Sequence, residues 1–593
     1  NNKTATSNGG HNHPTHTYTK AGTYTVVTSG PINELNSYLA SPIISKVIYI
    51  GKDVKISSMR NAFESQQKLK EVSSKAFDGC TNVYSMREAF AYCTSLEIIP
   101  EGLFDKCTGV TDFESVFKSC TALETIPDGL FDHCIKATTF KSAFQSCDKL
   151  SNASAGMFDN CTKVTTFQAA FNGCKNLTTI SVGLFDSCTK VTDFQWTFSG
   201  TGITEIPDGL FDYNTKVTNF QSTFSNCSSL TSSPTGLFDK DVEVPNFNST
   251  FQGCKSLTSI PERLFDYNTK VTEFNSTFRE CTSLTEIPEG LFDKCTEVTS
   301  FEMTFFKTNI TEIPARLFDY NTKVTDFEFT FYYCQNLQAI PTSLFDNNTL
   351  VTNFKGTFGK TGITFIPSKL FDKCPEVTTF YWTFAACEDL QAIPERLFDY
   401  NTKVTEFYQT FSGTDIHNVS NIMIINSIPE GLFDNCTEVT NFQGTFSMNT
   451  KLQTIPEGLF DKCTKVTSFS GIFWETGITA IPEGLFDKCT EVTNFSGAFA
   501  KTGITFIPSN LFDKCTKVTT FNQTFRECSS LQTIPTGLFD YNTKVTTFSA
   551  EGMSVGYTSC SPGLFAGCKG LTSIPVGLFD ACTKVTNFYG TFQ

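Results

Sequence analysis

The chain has 593 residues, with 45 basic against 60 acidic side chains and a net charge of -15. That balance lacks the clustered Lys and Arg that phosphate contacts need, so nucleic acid is not an expected partner. The 61 Phe and 17 Tyr exclude a disordered chain, and the 38 Gly and 22 Pro are too few for a collagen-like one. No stretch reaches the ~20 apolar residues of a membrane helix.

Residues 1–30 are a polar linker in this reading, with His11, His13 and His16 in an Asn/Thr/Gly stretch. Metal chelation by that trio is the weaker alternative. Residues 31–75 read as an N-terminal cap with a degenerate repeat, and residues 76–593 as a repeat array. The array is tracked by the Asp of Leu-Phe-Asp, at Asp105, Asp132, Asp159, Asp186, Asp212, Asp239 and onward to Asp580, with Asp78 marking a divergent first turn. The beat is 27 or 26 residues and nineteen turns are visible. A period of this size signals a solenoid, because one unit cannot bury its apolar face alone and its neighbours supply the missing wall.

One turn, Ile99 to Thr125, has its apolar and Cys positions at Phe104, Cys107, Val110 and Phe113, then Phe117, Cys120 and Leu123, with Ile126 opening the next turn. Steps of three residues are too short for long helices. They predict short parallel strands at Val-Thr-x-Phe and Leu-Thr-x-Ile, joined by one-turn helices or bends. At ~4.8 Å per paired strand, nineteen turns make a right-handed rod of about 90 Å with three Phe stacks along its axis. Turns of 26 residues carry a fixed deletion: Ser119 to Leu123 becomes Gly200-Thr201-Gly202-Ile203, and the edit recurs through Asn309, Gly362, Gly477 and Gly503. Gly or Asn there predicts a left-handed residue tightening the corner. Insertions near 415–426 and 551–562 are expected as loops. The final turn stops at Gly590-Thr591-Phe592-Gln593 with no polar cap, so the array is expected to run on.

The segments VTNFSGAF (Val492 to Phe499) and FRECTSLTEIPEGLFDKCTEVT (Phe278 to Thr299), with their copies, resemble BspA-like leucine-rich-repeat surface proteins over about residues 60 to 593. Thr-Phe stands here where Met-Phe is common in that family, and Ile-Pro-Glu-Gly-Leu-Phe-Asp is an added element. The resemblance implies secreted or surface-anchored, mostly bacterial adhesins without catalytic residues. HTYTKAGTYTVVTSG (His16 to Gly30) is similar to the last strands of a polycystic-kidney-disease-type (PKD) β-sandwich; the alternative is a strand opening the cap.

The 24 Cys could suggest a disulfide framework. The column after Leu-Phe-Asp argues against it, since Cys188 gives way to Asn214, Asp241 and Asn268 before Cys295 returns. Asn cannot be half a disulfide, but it shares with Cys a small size and the ability to hydrogen-bond a buried turn. Buried free thiols are therefore expected, ahead of disulfides or metal, for which no zinc-type CxxC pair exists. The Asp column reads as capping, Asp105 accepting from Lys106 to Thr108, in preference to a calcium ladder. No turn gathers a unique acid, base and nucleophile, so no enzyme activity, cofactor or metal is expected.

Aromatic side chains break the pattern at Trp196, Phe329, Tyr381, Trp382, Tyr408 and Tyr589, in the two positions after Val-Thr-x-Phe, with Trp474 nearby. Trp196, Phe329, Tyr381, Trp382 and Tyr408 are the candidate ligand-binding residues, set against the alternative of partial burial between turns. The functional expectation is an extracellular or cell-surface adhesin binding a protein partner. Glycan capture by the same aromatics is the alternative within binding, and a structural stalk or fibre subunit, cellular or phage, is the alternative outside it.

Overall fold

A computed structural model describes residues 44–50, 55–413, 423–548 and 563–593. The linker, the PKD-like edge, the three N-terminal histidines, residues 415–422 of the first insertion and all of the second lie outside the described residues. The described chain is a stack of turns closed around one continuous core. In the third position of Val-Thr-x-Phe successive turns bridge in parallel, Asp112 to Thr139, Thr139 to Thr166 and so on to Thr520 with Thr547, except between Asn219 and Asn246. Longer pairing occurs twice: β1 (Lys46–Val47) with β2 (Glu71–Val72), and β3 (Asn152–Ala153) with β4 (Thr179–Ile180), both parallel.

The sequence reading places this first strand correctly, and the second, at Leu-Thr-x-Ile, is thinner. Apart from β1–β2, β3–β4 and the Ile98–Thr125 bridge it reduces to single bonds, such as Thr231 N–H to Thr204 O at 3.1 Å. The connections are turns, and no helix occurs among the described residues. Across Phe113 to Ser119 the ladder runs one way only. The N–H groups of Phe113, Ser115, Phe117 and Ser119 donate forward to Thr139, Lys141, Ala143 and Gln145 O at 2.6–3.2 Å. Ser115 and Ser119 reach this arrangement at φ of 56° and 57°, left-handed values that Trp196, Phe329 and Trp382 also adopt at the Ser115 position of their turns.

Three Phe columns fill the core. Phe104 stacks on Phe131 at 5.7 Å, Phe113 on Phe140 at 5.3 Å, and Phe117 on Phe144 at 5.7 Å. Rings of different columns meet edge to face, as Phe131 and Phe140 do at 4.6 Å and 63°. Both geometries suit the ring quadrupole and add about 0.5–1.5 kcal/mol per pair beyond area burial.

The two Cys columns are hydrogen-bonding columns. Cys120 Sγ faces Phe90 O at 3.2 Å, and Cys188 Sγ faces Phe158 and Cys161 O at 3.8 and 3.7 Å. Asn214 takes over the second role, its Nδ2 donating to Phe185 O and Cys188 O at 3.1 and 3.0 Å. All 23 described cysteines are free, and all but Cys568 are buried.

Two local expectations are corrected. In the deleted corner Gly200 is left-handed at φ +70°, but Gly202 is not; a Cβ on Gly202 would collide with Lys175 O, and one on Gly362 would stand 2.5 Å from Gln335 O. The deleted turn runs so close to its predecessor that only a small residue or Asn309 fits, Asn309 donating its own N–H to Leu284 O at 3.0 Å. The Asp105 carboxylate caps nothing ahead of it. Among the described residues none of the column's carboxylates accepts a bond from the backbone that follows; Asp105 turns back, its Oδ2 3.0 Å from where a Gly102 Cβ would be. Gly102 sits at φ +69°, and where Arg263 replaces the glycine its Nε binds Asp266 at 2.7 Å.

Candidate binding face

The one-way ladder sets the site. Because Phe113, Val116, Phe117 and Cys120 point into the core, the intervening positions of every turn form one lateral face, and their side chains lie along it from turn to turn. In most turns that face carries Ser, Gln, Asn, Glu or Gly. Between residues 301 and 413 it turns aromatic.

Phe306 and Tyr332 stack at 5.6 Å and 13°, and Phe329 meets Tyr332 edge-on at 5.2 Å. Phe329 is 6 % and Tyr332 0 % exposed. Met303, Tyr333 and Trp382 pack against them. This second cluster lies outside the main core. It has room because Gly356 and Gly359 of the next turn leave no side chain beneath Phe329 and Tyr332.

Beyond it the cluster opens. Tyr381 and Tyr408, one turn apart, stack at 4.3 Å and 6°, with Trp382 edge-on to Tyr381 at 4.7 Å. All three are half-buried. Polar groups fix the rings: Trp382 Nε1 donates to Gln409 Oε1, and Gln443 Nε2 donates to Tyr408 Oη at 3.3 Å. Lys355 Nζ lies 5.2 Å from the Phe329 ring centre and 5.5 Å from that of Tyr381, while pairing with Glu328 at 2.8 Å. Such cation–aromatic contacts contribute about 0.5–2 kcal/mol as desolvation grows. Burial, then the Tyr408 phenol, push the Tyr381 hydroxyl up to about 12. The same turn ends at Gly413, beside the 415–426 insertion.

Of the five candidate residues, Phe329, Tyr381, Trp382 and Tyr408 come together and Trp196 does not. Trp196 is 42 % exposed and lies five turns earlier. Phe329 is packing, not surface. The sequence reading missed Phe306, Tyr332 and Lys355; a glycine one period after an aromatic, as in Tyr332 with Gly359, would have marked the buried members. No group of three or more His, Cys, Asp or Glu suited to a metal occurs among the described residues, and no helix there is long and apolar enough to cross a membrane.

A parallel-bridged stack of 26- and 27-residue turns with hydrogen-bonding Cys/Asn columns is a leucine-rich-repeat solenoid. The chain belongs to the BspA type leucine-rich-repeat family, whose region matches residues 61–231, 124–271, 235–378, 407–546 and 453–589. Among solved structures it is similar to a chain of the Drosophila Toll–Spatzle complex at 14 % identity, covering 83 % of this chain and 54 % of that one, with a TM-score of 0.42. It thus spans about half the length of that relative. A leucine-rich-repeat protein of Bacteroides ovatus is 18 % identical over 56 % of this chain and 77 % of that one, TM-score 0.27. One of Leptospira interrogans is 9 % identical over 58 % and 86 %, TM-score 0.34. No curated protein matches in sequence.

Proposed function

We propose that the chain is a non-enzymatic binding solenoid, extracellular or displayed at a cell surface, that recognises a protein partner through the face around Tyr381, Trp382 and Tyr408. In this reading residues 76–593 are the solenoid and residues 31–75 its cap. One observation carries it: three large aromatics, half-buried and held by Gln409 and Gln443, occupy positions that most other turns fill with small or polar side chains. Rigid Tyr and Trp beside a cation are the residues that dominate protein interfaces. The Tyr381–Tyr408 stack favours a protein over a glycan, because each ring spends on the other a face that a sugar would cover.

The test compares the wild-type chain with Tyr381→Ala/Tyr408→Ala for binding to intact cells and to a panel of purified extracellular-matrix proteins. Binding is expected to fall at least tenfold with the melting transition kept. Equal binding by both chains would overturn the location of the site and leave the rod as a stalk.

A further inference from the structure

One turn departs from its neighbours at three places. Ser233 replaces the isoleucine that Ile206 and Ile260 bury one turn away on each side, and its shielded hydroxyl has no hydrogen-bond partner. Pro245 replaces the threonine of Val-Thr-x-Phe and has no N–H to give Thr218 O. On either side Thr218 N–H reaches Thr192 O at 3.0 Å and Thr272 N–H reaches Pro245 O at 2.8 Å. The bridge ladder has one gap among the described residues from Ser58 to Thr547, and it falls here, between Asn219 and Asn246.

Asp241 is the third departure. It is 1 % exposed, and neither carboxyl oxygen has a partner. It stands in the column whose occupants donate. Asn214 donates to Phe185 O and Cys188 O, and Asn268 to Phe238 O and Asp241 O at 3.1 and 3.0 Å. Moving that pattern by one turn sets Asp241 against the carbonyls of Phe211 and Asn214. An ionised carboxylate has nothing to offer two carbonyl oxygens and repels them, whereas a neutral carboxyl has one O–H to donate.

We propose that this turn is a protonation-gated joint in the solenoid. With Asp241 neutral, its O–H closes onto the preceding turn and couples the two lengths of rod. When the proton passes to solvent, the turn opens locally and the lengths uncouple. Weak points on both flanks, Ser233 and Pro245, confine the opening to this turn, while the neighbouring turns keep their own Phe stacks.

Burial, and then the Asp212 carboxylate on the preceding turn, raise the Asp241 carboxyl from 3.8 to about 8. The other charged groups on the three turns at this level are Lys216 on the preceding turn, Asp239, Lys240 and Glu243 on its own, and Arg263, Asp266 and Lys270 on the following one, where Lys270 pairs with Glu243 at 2.5 Å. The closed turn holds a proton that the open turn releases. The equilibrium constant for opening therefore rises about tenfold per pH unit between about pH 4 and about pH 8, and levels off above.

Native-state amide exchange on the full chain, corrected for the intrinsic chemical rate, reads this constant directly. Between about pH 6 and about pH 8 the wild type is expected to show a roughly 50- to 100-fold rise in opening over residues 235–247. The turn at residues 457–470 should show none. Asp241→Asn restores the amide present in Asn214 and Asn268 and should abolish the rise, and Asp241→Cys, matching Cys188, serves if the first variant does not fold. Opening of residues 235–247 that is independent of pH in the wild type, or a rise that persists in the variant, would overturn the proposal.

Discussion

Tyr332 lies against Gly359 of the next turn so closely that a Cβ on that glycine would stand 2.6 Å from Tyr332 Cε2 and 3.0 Å from Trp382 O. Phe329 and Gly356 repeat the relationship one step along the face. At these two places a large ring lies along the solenoid where the following turn withdraws its side chain, whereas Phe306 and Tyr381 are instead followed one turn on by a ring that stacks on them.

Gly359→Ala should therefore destabilise the patch although its backbone is not left-handed. Tyr332 cannot swing aside, being fully buried and stacked on Phe306. A loss of about 1–3 kcal/mol is expected from overpacking, read as a lowered urea midpoint. Gly356→Ala should lose more, since its φ of +61° adds left-handed strain of about 1 kcal/mol to the collision with Phe329. A midpoint unchanged in both would refute the ring–glycine account.

The Cys/Asn column makes a signed prediction. Asn321 binds Phe292 O and Cys295 O through Nδ2, but its Oδ1 is buried without a partner. Asn321→Cys keeps a donor and removes the orphan oxygen, so it should be neutral or stabilising. Asn321→Ala leaves two carbonyls unpaired and should cost about 1–3 kcal/mol. In the native chain the thiols should resist alkylation at neutral pH, because burial pushes groups such as Cys80 and Cys295 up to about 12. Denaturation should release close to 24 titratable thiols per chain; a count near zero would restore disulfides.

What was legible in the sequence was whatever the period repeats. The Phe columns, the pairing at Val-Thr-x-Phe and the equivalence of Cys and Asn follow from one slot being filled again and again. What was not legible depends on two turns at once. Phe329 reads as an exposed aromatic until Gly356, 27 residues on, is placed beneath it. Gly202 reads as a left-handed corner because flexible turns usually need one, whereas the shortened turn needs clearance from Lys175 O. Asp105 reads as a cap because Asp before a turn often is one. The glycine at 102 and the backward fold of the carboxylate are one feature seen at two positions.

Charge contributes little to holding the stack. Lys270–Glu243, Lys323–Glu297 and Lys465–Glu438 pair across turns at 2.5–2.6 Å, but every partner is largely exposed. Such pairs contribute roughly 0–1 kcal/mol and are screened by salt. Raising the salt from about 0.05 M to about 0.5 M should therefore leave the thermal midpoint within a few degrees. A large drop would mean the ladders carry the rod instead of the Phe columns.

Tyr381 and Tyr408 give a titration that reads the candidate face without knowledge of its partner. Their rings stack at 4.3 Å, and burial, followed by the Tyr408 hydroxyl, raises Tyr381 from 10.0 to about 12. An acid whose folded value lies above its unfolded one loses stability as pH rises from the unfolded value through the folded one, here from about pH 10 to about pH 12. Ultraviolet titration of the phenols should show a late-ionising group that disappears in Tyr381→Phe. In Tyr408→Phe the stack survives but the second hydroxyl is gone, so the Tyr381 transition should move down while staying above that of a free phenol. A partner that covers the face should push the transition higher still by further desolvation. If Tyr381 ionises with the exposed tyrosines, or is unmoved in Tyr408→Phe, the two rings do not share one desolvated surface and the face has no built centre at this position.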